Sequence, residues 1–307
     1  MERGVRRWLV NISTWDPSER RFASLASLLP PHERPAIMRD DDVMADAAVE
    51  SDSAITSSQD YNYSIFCIIL ERFVKVDDRK RALVSRLLQY VLVREVLGIP
   101  FDKITLSRTI EGKPYLNNED NVVFPNFNFN ASHHGDYVGI ASEPRCLVGL
   151  DIVSVSKPQK EEVLEFIDSF SSYFTVLEWK NILQSSSSDE ILIEFYRYWC
   201  LKEAFVKAVG AGLGFGLHRL EFHHARWTNI SVCIDGAESK DWRFWLFELD
   251  ERHLASIAKG HPREAVETYR QTLTKVDFEE GEFQCALQLP EHGFTSFTVD
   301  QLDPKEN

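Results

Sequence analysis

Apolar residues recur at helical spacing at Ala82, Leu83, Leu87, Val91 and Leu92. Asp77 and Asp78 ahead of them can cap a helix, and Gly98-Ile99-Pro100 end it. A longer helix is predicted where DEILIEFYRYWCLKEAFVKAVG runs without strong breakers. Asp189 can cap its start, and the glycines from Gly210 to Gly216 stop it. Between these helices the period drops to two. KITLSRTIEGKPYL reads as a strand, a turn at Gly112 and a second short strand. Phe127, Phe129 and Ala131 then alternate with Asn126, Asn128 and Asn130 as a half-buried strand. SHHGD makes a tight turn, a strand runs from Tyr137 to a turn at Glu143-Pro144, and another from Cys146 to Val155, so that these strands form an antiparallel meander. Upstream, residues 6–15 read as an edge or central strand and 17–29 as a short helix ended by Pro30 and Pro31. Downstream, Thr175 and Glu178 form a capping-box pattern for a helix to about Leu183, and Ser185 to Ser188 is a flexible linker. The stretches 217–224, 229–234, 241–250 and 253–260 read as strands, with a turn at Asp235-Gly236. The tail from Asp303 is expected to fray, and no repeat is evident.

The 307 residues are 44% hydrophobic and 12% aromatic, enough for two medium domains or one large one. A net charge of −14 argues against broad binding to nucleic acid or acidic membranes, so any polyanion must meet a local basic patch. No uncharged apolar run reaches the ~18 residues a membrane span needs. Cys67, Cys146, Cys200, Cys233 and Cys285 are scattered and lack CxxC spacing, which fits buried, reduced thiols and a cytosolic setting. Arg3, Arg6 and Arg7 resemble a transit peptide, but Glu2 and the strand-like RRWLVNISTW place this segment in the fold.

The candidate chemistry begins on the long helix. Trp199, Glu203 and Lys207 share one stripe with Lys202 beside them, although spacing alone gives only a surface ion pair worth about a few tenths of a kcal/mol. Asp151 lies inside the apolar strand CLVGLDIVSV, where an isolated carboxylate is costly to desolvate. It needs a hydrogen-bond partner, a metal or exposure at the strand end. Arg108 and Lys113 flank the Gly112 bend, an arrangement that can hold a phosphate. His133 and His134 are equally well placed as ordinary turn residues, and His223 and His224 belong to a strand end.

Taken together, RTIEGKP, FNFNASHHGD, VGLDI and WCLKEAFVK, in this order and spacing, resemble the 4'-phosphopantetheinyl transferases of the surfactin-synthetase-activator type. The resemblance is closest to the eukaryotic members related to the activator of aminoadipate-semialdehyde dehydrogenase, and it extends from RRWLVNISTW to about Gly260. It implies an α+β fold of two similar halves related by a pseudo-twofold, each an antiparallel sheet packed with a long helix: residues 1–146, residues 147–300 with the metal site, and a tail at 301–307. It also implies that a serine of an apo carrier protein attacks the β-phosphate of coenzyme A, releasing adenosine 3',5'-bisphosphate, with Mg²⁺ as cofactor. By the same carry-over, Asp151 and Glu203 hold the metal, and Lys207 neutralises the leaving phosphate. Glu203 is either ligand or base, or both. Arg108, Lys113, Ser132 and His133 hold the nucleotide end of coenzyme A, and Lys202 contacts the substrate. Val153 stands where several bacterial relatives carry a third carboxylate, so water or substrate must fill that place, and His134 is close enough in sequence to approach the ion. The two-half design is compatible with a monomer.

Joining Arg39 directly to Phe73 restores the family pattern, which makes residues 40–72 an insertion of 33 residues. It holds eight acids and one base: seven acids from Asp40 to Asp60, then the apolar run YNYSIFCIIL, then Glu71 and Arg72, and it is expected to lack packed structure. Only Arg34 or Arg39 is left to supply the basic residue the family places before the join. Two other classes compete with the active transferase: a relative that binds coenzyme A or carriers but is impaired by the insertion, and a nucleotide phosphohydrolase using Asp151, Glu203 and Mg²⁺.

Overall fold

A computed structural model describes residues 3–34, 37, 75–117, 124, 126–275 and 279–304. The inserted segment 40–72 and Arg39 lie outside the described residues. In chain order the elements are β1 (Arg6–Asn11), α1 (Glu19–Ala26), α2 (Lys75–Leu97), β2 (Leu106–Arg108), β3 (Pro114–Leu116), β4 (Asn128–His134), β5 (Tyr137–Glu143) and β6 (Leu147–Ser154). There follow α3 (Val163–Asp168), α4 (Val176–Ile182), α5 (Ser188–Val209), β7 (Leu220–Ala225), β8 (Thr228–Ile234), β9 (Ala237–Asp250), β10 (His253–Gly260), α6 (Glu267–Arg270), α7 (Glu280–Leu287) and β11 (Thr295–Phe297).

Two sheets, ordered β11-β1-β5-β4 and β6-β10-β9-β8-β7, each pack against one long helix, α2 and α5 respectively; the hairpin β2-β3 belongs to neither. The first sheet is not wholly antiparallel, because β11 lies parallel to β1 with Trp8 opposite Thr295. Three residues with an exposed pattern gave no strand signal in the sequence. Val299 and Leu302 complete the core of the first half, and Arg21 bonds Asp303 at 3.1 Å. Residues 295–302 thus pack with the first half, and the fraying expected from Asp303 does not begin at Asp303 itself.

The polar positions of β4 are not its solvent face. Asn128, Asn130, Ser132 and His134 accept hydrogen bonds from the backbone N–H groups of Val148, Leu150, Ile152 and Ser154 at 3.0, 2.8, 3.1 and 3.0 Å. The edge strand of one sheet thus caps the unpaired donors of the other, which would otherwise be buried without partners. Period-two polarity at Asn128 and Asn130 encodes a seam between the halves rather than exposure.

Helix α5 is capped two residues earlier than Asp189: Ser187 Oγ accepts from Glu190 N at 3.2 Å. It ends at Gly210, whose φ of 77° suits glycine. The capping box at Thr175 and Glu178 forms as read. Of the thiols, Cys146 and Cys200 are buried, whereas Cys285 is exposed, which corrects its expected burial; Cys67 lies outside the described residues. Among the described residues, no helix is long and apolar enough to cross a membrane.

Candidate functional site

Strand β6 alternates between two faces. Val148, Leu150 and Ile152 join the core shared with Leu9 and Ala141, while Leu147 and Val153 face the core around α5. Gly149 and Asp151 share that second face. A Cβ on Gly149 would lie 1.9 Å from Ala204 O and 2.6 Å from Ala208 N, so only glycine lets α5 come this close. The close approach brings Lys207 Nζ to 2.6 Å from Asp151 Oδ1 and 3.1 Å from Ser132 Oγ.

Asp151 pairs directly with that ammonium, and Glu203, one turn before Lys207 on α5, acts on it by its charge. Burial works against the Lys207 charge, but Asp151 and then Glu203 outweigh it and hold its pKa above the ordinary value. Asp151 is 5% exposed and its Oδ2 has no hydrogen-bond partner; Glu203 is 8% exposed on the cleft wall. Two hard oxygen donors, one with an unsatisfied buried atom, fit a divalent cation such as Mg²⁺. Among the described residues, no three His, Cys, Asp or Glu side chains form a metal cluster, and Val153 is buried in the apolar core.

Above this point lies a cleft of about 560 Å³ between the halves, walled by α2, the β2-β3 hairpin, β4 and α5. Arg108, Lys113, Ser132, His133, Glu203 and Lys207 all line it. Lys113 is nearly buried; its ammonium donates to Val148 O at 3.2 Å and Lys207 O at 2.5 Å and lies 4.7 Å from the Tyr269 ring centre. Burial, then Lys207, lowers its pKa to about 7. His133 opens onto the cleft, yet the protein crowded around it, followed by Arg81 and Lys207, lowers its pKa to about 3, so the ring is neutral.

Four expectations change. Lys202 is not at the cleft: it is fully buried, 2.8 Å from the equally buried Glu178, and donates to Leu217 O and Leu220 O. Trp199 likewise leaves the stripe for an aromatic core with Phe170, Tyr173 and Phe195. His134 is spent on the seam to Ser154. Arg34 donates to Leu29 O and Ser27 O, closing the end of α1 instead of reaching the cleft. The basic residue that sequence reasoning missed is Arg86, which lines the cleft 3.0 Å from Glu33. Its signal was the stripe Ala82, Ser85, Arg86 and Gln89, in which Ser85 and Gln89 are buried despite their polarity.

Residues 68–145 match the family described as 4'-phosphopantetheinyl transferase, N-terminal, and residues 147–258 the 4'-phosphopantetheinyl transferase superfamily. The chain is 41% identical over 199 residues to the L-aminoadipate-semialdehyde dehydrogenase-phosphopantetheinyl transferase of Mus musculus, covering 62% of this chain and 64% of that protein. It is 32% identical to the Xenopus laevis protein of the same name over 84% of this chain and 76% of that one. It is also 38% identical to a phosphopantetheinyl transferase of a Thraustochytrium species over 60% and 65%. The chain thus spans 64% of the length of the mouse relative.

Proposed function

Because the chain belongs to the 4'-phosphopantetheinyl transferase superfamily, we propose that it moves the 4'-phosphopantetheine arm of coenzyme A onto a serine of apo carrier proteins, acting as a monomer in the cytosol. The observation that carries this reading is the Asp151–Lys207 pair, with Glu203 one turn away on α5, at a cleft that also holds Arg86, Arg108 and Lys113.

The serine oxygen bonds to the β-phosphorus while the bond from that phosphorus to the bridging oxygen breaks. Adenosine 3',5'-bisphosphate leaves with the bridging oxygen. Asp151 and Glu203 would hold Mg²⁺, which supplies charge neutralisation on the pyrophosphate when bound. Lys207, kept charged by its two carboxylates, turns from Asp151 to the oxygens of the leaving phosphate, where negative charge grows. Glu203 accepts the serine proton, directly or through water. Arg86, Arg108 and Lys113 orient the anionic nucleotide end, and neutral His133 offers a hydrogen bond there without adding charge.

The test is mass spectrometry of an apo carrier incubated with the protein, coenzyme A and Mg²⁺, alongside Glu203→Gln. A phosphopantetheine-sized mass gain that Glu203→Gln loses supports the reading. No gain, with a known transferase active in parallel, rejects it.

A further inference from the structure

The strands of the β2-β3 hairpin pair with neither sheet, yet the hairpin carries Arg108 and Lys113 into the cleft. Two-stranded hairpins hold their place poorly on their own, so something else must fix this one. One tether is Lys113, reaching Val148 O and Lys207 O. The other is at the tip. Thr268 Oγ1 donates to Glu111 Oε2 at 2.6 Å, and Glu111 is also the contact that an added Cβ on Gly212 would meet, at 3.3 Å from its backbone oxygen. Thr268 sits on α6, itself fastened to the end of α5 because Val266 N donates to Val209 O at 3.0 Å. The next residue, Tyr269, lies beneath the Lys113 ammonium and against Gly210.

Glu111 is otherwise out of place: apart from Glu203, the charged side chains of the cleft, Arg86, Arg108, Lys113 and Lys207, are all cations that suit a polyanion. Burial works to raise its pKa, but hydrogen bonds from Thr268, from its own backbone N–H and from Thr109 outweigh that and lower it. A charge-assisted bond of this kind is among the stronger side-chain contacts.

We propose that Thr268 is a positioning residue: through Glu111 it latches the hairpin of the first half onto the second, setting where Arg108 and Lys113 meet the nucleotide end of coenzyme A. The inference rests on the transferase reading and concerns affinity for coenzyme A rather than the chemical step. The test compares wild type, Thr268→Val, Thr268→Ser and Glu111→Ala by steady-state kinetics, with calorimetric titration of coenzyme A in parallel. Thr268→Val should raise KM for coenzyme A about tenfold with kcat held within about twofold, and Thr268→Ser should restore it. Glu111→Ala gives a sign. Removing a mere cleft charge would tighten binding of the anion, whereas losing the latch weakens it. Thr268→Val with an unchanged KM, or Glu111→Ala with a lower one, overturns the latch while leaving transfer intact. If wild type binds coenzyme A without transferring it, the transferase reading fails, and the latch stands or falls on whether Thr268→Val weakens the titration. If wild type does not bind coenzyme A, both fail.

Discussion

Helix α5 carries two lysine–carboxylate pairs that look alike in sequence and differ in every physical respect. Lys202 and Glu178 are both wholly buried, 2.8 Å apart, and each is further bonded to backbone: Lys202 to two carbonyls, Glu178 Oε1 to Phe222 N. Lys207 and Asp151 are 2.6 Å apart, but the lysine side chain keeps 31% of its surface open and Asp151 retains an unbonded oxygen. The first pair is saturated and closed, so it can only hold structure. The second is unsaturated and reaches a cleft, so it can exchange partners. Saturation, not charge or proximity, separates a structural ion pair from a reactive one.

Breaking each pair in turn should show the split. Lys202→Ala leaves Glu178 charged and buried, and should cost about 3 to 5 kcal/mol of stability, read from denaturant midpoints. A loss under about 1 kcal/mol would mean that the pair is not closed as described. Lys207→Ala strands the buried Asp151 but on the open side of the cleft, where water can replace the ammonium, so it should lower the denaturant midpoint clearly less than Lys202→Ala while lowering kcat by about 10²- to 10³-fold in the carrier assay. Equal effects of the two substitutions on stability would erase the comparison. Gly149→Ala forces α5 away from β6, costing about 1 to 3 kcal/mol, and should depress activity while the pair between Lys202 and Glu178 keeps its lysine buried.

A third lysine sharpens the contrast through its proton. With its pKa lowered to about 7, Lys113 is largely neutral at pH 8, so binding the coenzyme A anion should draw a proton onto it. Calorimetry in buffers of different ionisation enthalpy should record uptake in wild type and less in Lys113→Ala. The smallest effect concerns the seam. Burial, then Arg81, lowers His134 to about 4, against about 6.5 unfolded. Between those values the unfolded chain binds more protons, so this stability is full above about pH 6.5 and is lost as pH falls toward 4. The fall in denaturant midpoint from pH 7 to 5 should shrink in His134→Gln, and an unchanged fall would remove His134 from the seam.

Much of this was legible in the chain. The ends of α5 at Gly210, the capping box at Thr175, and the shared stripe of Glu203 and Lys207 follow from local rules that the structure obeys. What was not legible depended on partners distant in sequence. Lys202 sits roughly 140° around the helix from Lys207, and only the folding back of α4 shows that Glu178 waits there. Asn128 and Asn130 follow a solvent-facing rule, yet the face they present is covered by another strand's backbone. Arg86 shares the head of α2 with Arg79, Lys80 and Arg81, and only its place on the stripe with Ala82, Ser85 and Gln89 sets apart the one that lines the cleft.

The placement of β11 carries a consequence for how the molecule comes together. A ribosome releases β1 long before β11, the neighbour that covers its open side. Until Thr295–Phe297 arrive, Trp8 and Val10 border an uncovered sheet margin. The two halves therefore cannot mature one after the other like beads. The half that carries β1 stays open until β11 is made, and a chain cut short before residue 295 should lose order around Trp8 and Val10.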